Sequence, residues 1–212
     1  MDENRRKMLE AKVLGVWKQL EAFGTQKEIS IPAEEAAEDR MALARRIGRL
    51  YLAFARVLID RLGEDNAKKA ILEAIRDYSY HCAEARKKGL VDLPQRGIHT
   101  KAEVLEVDGH KRARTYGCAI AKEFADQGDE KLGALYCYID PCSFMFTNPN
   151  IKLYHKRMEP LGSKFCEFDV AIVSDEEMNT IIEKGKDYRD IDPIIKHGTE
   201  GSLSKRSQNC KI

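Results

Sequence analysis

At 212 residues, with 36 Lys plus Arg against 35 Asp plus Glu, the chain can bury one generous core and carries a formal charge of +1. That balance gives no electrostatic reason to capture nucleic acid or an anionic membrane, which leaves a small molecule as the expected partner. Six cysteines in a chain of this size do not make the dense framework of a small secreted domain, so reduced thiols in a cytoplasmic setting are expected.

The opening MDENRRKMLEAKVLGVWKQL alternates charge with apolar residues and lacks the unbroken apolar stretch of a signal peptide; no segment reaches membrane-spanning length. Met8, Val13, Trp17 and Leu20 recur near the helical period and predict a first helix ending at Gly24. Its stripe is wider than one short contact needs, so residues 1–30 are read as a helix that pairs subunits in a homo-oligomer. Pro32 suits the first turn of a second helix over 33–62. There Met41, Ala44, Ile47, Tyr51, Phe54 and Leu58 mark one long buried stripe, and Gly63 supplies the stop. A third helix, 64–88, carries Ala67, Ile71, Ala74, Tyr78, His81 and Ala85 on its buried face and ends at Gly89; residues 91–96, with Pro94, read as a connector.

Beyond residue 118 the pattern becomes mixed. A short helix is predicted over 119–127, followed by strand-like runs at 134–139, 151–158 and 165–173. Glu159-Pro160-Leu161-Gly162-Ser163 has turn chemistry that joins the last two runs as an antiparallel hairpin. Alternation turns Cys137 inward with Leu135 and Ile139, His155 inward with Ile151 and Leu153, and Cys166 inward with Phe168, Val170 and Ile172. Asp175-Glu176-Glu177 opens a last helix to about Gly185, and 191–212, polar from His197 on and holding Cys210, is read as a mobile tail. The fold class is α+β: long N-terminal helices packed on a mixed helix and antiparallel-sheet domain spanning 31–190.

The chemistry-bearing residues gather in the second half. Cys137 lies three residues before Asp140, with His155 and Lys156 on a neighbouring predicted strand. A thiol with an ordinary pKa of about 8.5 needs such a base or cation to act as a nucleophile, and a small core residue is the competing reading. Cys118, Cys137 and Cys166, with His155 or Asp140 as a fourth ligand, form a candidate zinc set that would activate water or hold the fold. Arg157 is a candidate bidentate partner for a substrate carboxylate, and Tyr78 and His81 on the third helix are placed to roof the pocket.

The ordered series Cys118, Leu132-Gly133-x-Leu135-Tyr136-Cys137-x-x-Asp140, Asn148-Pro149-x-Ile151-x-Leu153 and Gly162-x-x-x-Cys166-x-Phe168 resembles the L-2-amino-thiazoline-4-carboxylic acid hydrolase family. The run Gly48-Arg49-Leu50-Tyr51-x-x-Phe54-Ala55-x-x-Leu58 to Gly63-Glu64 looks like that family's helical lead-in. The resemblance implies an α+β domain similar to 4-vinyl reductase and haem nitric-oxide-binding-associated ligand domains. It implies hydrolytic opening of a five-membered amino-thiazoline ring, giving a carbamoyl-cysteine; for such a C–N bond of a small cyclic amidine or amide the residues themselves offer Cys137, Asp140 and His155 as the catalytic set, with a cysteine nucleophile or a metal-activated water. The competing reading is a non-catalytic small-molecule sensor built around structural zinc.

Overall fold

The computed structural model describes residues 32–89, 98–147, 150–180 and 187–203, together with positions 3, 4, 7 and 11. The helix predicted to end at Gly24, the 91–96 connector, the last helix beyond 180 and Cys210 lie outside the described residues. Backbone contacts divide the chain into two compact units, 1–38 and 39–212. The fold is α+β, and every described strand lies in the second unit.

Helix α1 (Ala33–Leu62) ends at Gly63, whose φ of 74° no side chain favours, and α2 (Glu64–Lys87) starts at once. The covered face of α1 is Ala44, Gly48, Leu52 and Ala55. Ile47 and Phe54, expected in that stripe, point outward. The small residues explain the choice: Gly48 lets Ile120 and Phe124 approach to 3.3 and 3.4 Å of where a Cβ would stand, so the helix seats on this edge. In α2 the buried set is Ala67, Ile71, Leu72, Ile75, Ser79 and Ala83, which rotates Ala74, Tyr78 and His81 out of the core positions read for them.

Strands β1 (Lys101–Val107) and β2 (His110–Tyr116) form a tight hairpin. Its two-residue turn is Asp108-Gly109, both at positive φ, the signature of a type I′ turn. Charged residues interrupt the apolar alternation, so periodicity left this hairpin unpredicted although the Asp-Gly pair signals it. Helices α3 (Ala119–Asp126), α4 (Glu130–Tyr136) and α5 (Ile139–Thr147) then lead to β3 (Ile151–Arg157). A 3-10 turn at Glu159–Leu161 with Gly162 left-handed returns the chain as β4 (Cys166–Ile172), which pairs antiparallel with both β3 and β2. The sheet order is β1-β2-β4-β3.

The run 134–139, read as a strand, is the end of α4 and the start of α5. Its aromatic and β-branched residues favour a strand locally, but Leu132, Leu135, Tyr138, Cys142 and Met145 recur every three or four residues and are all buried, so helical packing overrides propensity. Gly133 seats the Phe124 ring, which would stand 2.2 Å from an added Cβ, and Tyr51 OH donates to Leu132 O at 2.8 Å.

One sheet face carries ion pairs, Arg112–Asp169 at 2.8 Å and Arg114–Glu167 at 2.6 Å, with Tyr154 OH donating to Asp169 at 2.8 Å. On the other face α5 and the short helix α7 (Pro193–Gly198) pack on β3. That cover reaches only part of the sheet. Cys166 is buried as expected, but Val170 is exposed and Ile172 is 90 % exposed, because no described helix lies over that end of β4. The chain then passes through α6 (Asp175–Thr180) and a 3-10 turn, Tyr188–Ile191. Residues 191–203, read as mobile tail, are packed: Ile191, Ile195 and Leu203 are buried, and Asp192 Oδ1 caps α7 by accepting from Ile195 N–H at 3.2 Å. No helix among the described residues is long and apolar enough to cross a membrane.

Candidate functional site

Between α2 and α5 opens a cleft of about 320 Å³. Its lining follows from helical spacing: Tyr78, Cys82 and Arg86 fall at successive fourth positions of α2, and Ile139, Asp140, Ser143 and Phe144 form the facing stripe of α5. Leu153 of β3 completes it. The cleft thus presents one carboxylate and one guanidinium. Arg86 lines the cleft, and its Nε is buried with no hydrogen-bond partner among the described residues.

Behind Asp140 sits His155, whose side chain is 1 % exposed. Asp192, fully buried at the start of α7, holds it twice: Oδ2 accepts from the His155 backbone N–H at 2.9 Å and contacts ring Nδ1 at 2.6 Å. An acceptor this close to Nδ1 calls for a proton on that nitrogen. Nε2 is buried, has no hydrogen-bond partner among the described residues, and faces Asp140 Oδ2 at 3.7 Å. The Phe168 ring, 4.6 Å from the imidazole centroid, walls the other side. The result is a line of three groups, Asp192, His155 and Asp140, running from the core to the cleft.

Asp140 is the member that meets solvent. Its side chain keeps 45 % of its surface open while the surrounding protein crowds the recess in which it stands. That enclosure raises its carboxyl pKa; the His155 imidazole pulls it back, and the Asp192 charge pushes it up again. An acid raised in this way holds or releases a proton closer to neutrality than an ordinary carboxylate.

Cys118, Cys137 and Cys166 stand apart from the cleft lining, which holds Cys82. Cys137 is not on a strand; it caps the C-terminus of α4 and is half-buried. Burial pushes its thiol well above the ordinary value, and the charges of Asp140, Cys166, Cys118 and Asp192 add to the shift. Cys118, at the start of α3, and Cys166, at the start of β4, both meet Glu159: Cys118 N–H donates to Glu159 Oε2 at 3.1 Å, and Glu159 N–H donates to Cys166 Sγ at 3.4 Å. Burial raises Cys118 to about 11 and Cys166 to about 12. Fold and chain order therefore bring the three thiols into one neighbourhood, but as thiols. Among the described residues no three His, Cys, Asp or Glu side chains are grouped as a metal ion requires, so the expected Cys118, Cys137 and Cys166 zinc set is not formed.

Of the other expected site residues, Tyr78 lines the cleft. Arg157 does not: a bulge after His155 puts it opposite Glu167, exposed, with its guanidinium 5.7 Å from the Phe165 ring centroid. His81 is exposed on α2, 3.6 Å from Asp77, and Lys156 lies over Tyr154 at 5.4 Å. No local pattern marks Asp192 or Glu159, and Arg86, which the Arg86-Lys87-Lys88 cluster assigns to a solvated face, lines the cleft instead. The four-residue spacing from Tyr78 to Arg86 was the only signal for any of them. No protein-family model, curated protein or solved structure matches the chain.

Proposed function

We propose that the protein is a hydrolase acting on a C–N bond of a small cyclic amidine or amide, with water as the attacking group and Asp140 as the acid and base that touches substrate. The observation that carries this is the Asp192, His155 and Asp140 line ending in a cleft that also holds Arg86. A cyclic amidine is cationic near neutrality and suits a carboxylate; a carboxylate on the same small molecule suits the Arg86 fork. The pair therefore favours a zwitterion of the 2-amino-thiazoline-4-carboxylate kind, which agrees with the motif series resembling that hydrolase family. Tyr78 and Phe144 offer it apolar surface.

Asp140 takes a proton from water as its oxygen bonds to the amidine carbon. The tetrahedral adduct then collapses to a carbonyl as the ring C–N bond breaks: Asp140 passes its proton to the departing nitrogen, and its freed carboxylate takes the proton that the new hydroxyl loses and releases it to solvent. His155 is too deeply covered to touch substrate. It acts as a positioning group whose Nε2 biases the Asp140 proton, and Asp192 fixes its tautomer. Attack by Cys137 is the weaker route, because burial and neighbouring carboxylates suppress its thiolate. The five described cysteines are free, which supports the reducing, cytoplasmic setting that belongs to this proposal.

The test is turnover of 2-amino-thiazoline-4-carboxylate and a panel of small cyclic amidines by purified protein, followed as addition of one water by mass spectrometry. Asp140→Asn should lower the rate at least about a hundredfold without changing the circular dichroism spectrum. Equal turnover by Asp140→Asn refutes the mechanism. Saturable binding to the cleft with no turnover of any compound makes the protein a binding module and refutes the hydrolase reading.

A further inference from the structure

Helix α1 carries two apolar stripes, and only one of them is used by the fold. Leu43, Ile47, Leu50, Phe54 and Val57 are 44–64 % exposed, and their spacing of four, three, four and three residues is that of coiled-coil seam positions. Single exposed apolar residues are ordinary, but five at this spacing along one face form a continuous seam.

We propose that this seam pairs with the same seam of a second copy, with the two α1 helices antiparallel. The charges on the page select that occupant and that direction. A parallel pair would stack Arg40 on Arg40 and Arg61 on Arg61 of the other copy, because the seam period continues through both. An antiparallel pair centred near Leu52 instead sets Leu50 against Phe54, Ile47 against Val57, and Leu43 against the stem of Arg61. Each of these contacts occurs twice about the two-fold axis. In the same register the flanking Arg46 meets Asp60 of the second copy, and Ala53 meets Ala53. Arg46 and Asp60 are both exposed, and neither forms an ion pair with a described residue. The opposite edge of α1 is occupied by Leu52, Ala55 and the Arg45 and Arg49 contacts to Glu123, which keeps the seam on the g side where Arg46 and Asp60 lie. This pairing uses α1 and does not require the segment before it.

Sedimentation velocity of the full chain should show dimer at concentrations of about 10 µM and above. Leu50→Glu with Phe54→Glu should raise the dissociation constant at least about tenfold while leaving the melting temperature of the monomer unchanged, since both residues are exposed. Arg46→Asp should weaken the dimer by about tenfold because the repulsion acts twice, and Arg46→Asp with Asp60→Arg should restore it. That rescue belongs to the antiparallel register alone. A chain that stays monomeric throughout this range overturns the proposal. So does a Leu50, Phe54 double variant that dimerises normally, or one that is monomeric like the parent but melts earlier, which would put the seam under another part of its own chain. Failure of the charge swap to rescue overturns the antiparallel register.

Discussion

Replacing Asp192 tests the site and the fold at once, because one buried carboxylate serves three donors. Oδ1 caps α7 through Ile195 N–H, and Oδ2 receives both the backbone N–H and the ring Nδ1–H of His155. Asp192 is fully buried and His155 nearly so; water is not at hand to replace a lost acceptor. Asp192→Ala forfeits a cap worth about 0.5–2 kcal/mol. It also strands the two His155 donors at about 1–3 kcal/mol each, so the expected loss is about 2.5–8 kcal/mol. Asp192→Asn is not a silent control. Its single carbonyl can face Ile195 or His155 but not both, and its NH₂ then opposes an N–H, for a loss of about 1–3 kcal/mol. In urea, with a slope of about 2–3 kcal/mol/M for a chain of this size, the midpoint should fall by about 1–4 M for Ala and about 0.3–1.5 M for Asn. Turnover should fall in both variants, since His155 loses its fixed tautomer. A wild-type midpoint in Asp192→Ala refutes the assignment of this carboxylate as the clamp on β3 and His155.

Asp140→Asn should hold or raise the urea midpoint at neutral pH even as turnover is lost. A carboxyl whose pKa is raised by folding binds its proton more tightly when folded, so its contribution to stability is present at low pH and is lost as pH rises through the unfolded and then the folded value; a lower midpoint in the variant contradicts this. The acid limb of the rate profile should lie above the ordinary carboxylate range and vanish in the same variant. Glu123, fully covered but bonded to Arg45 and Arg49 near the surface, is held at about 2 by Arg49 first, against the opposing effect of burial and with Arg45 and Gln127 assisting. Its stabilisation is present above about 4.5 and is lost as pH falls toward about 2. Glu123→Gln should cost about 1–3 kcal/mol at neutral pH and flatten the acid-unfolding curve over that window. Gly133→Ala forces a Cβ to within 2.2 Å of the Phe124 ring in a buried contact and should lower stability by about 2–4 kcal/mol in chemical denaturation; a change below about 0.5 kcal/mol would mean that the ring is free to move aside.

Periodicity and breakers in the sequence determined α1, α2, α3 and the β3–β4 pair, because these depend on local spacing: apolar residues every three or four positions, Gly63 between helices, and the Pro160-Gly162 turn. The segment 134–139 went the other way. Its residues favour a strand one by one, and only the fit of Leu135 and Tyr138 into the core makes them helical. The inner half of the site was illegible for a related reason. His155 and Asp192 are 37 residues apart, and no local spacing couples them; their contact exists because α7 packs on β3. Sequence named Asp140, His155 and the cysteine series, while tertiary structure gave them unequal parts. Burial keeps the thiols protonated and His155 covered, and it leaves Asp140 as the group that faces the cleft. The two stripes of α1 show the same division: composition makes both apolar, and only packing decides which one the core takes and which one stays open.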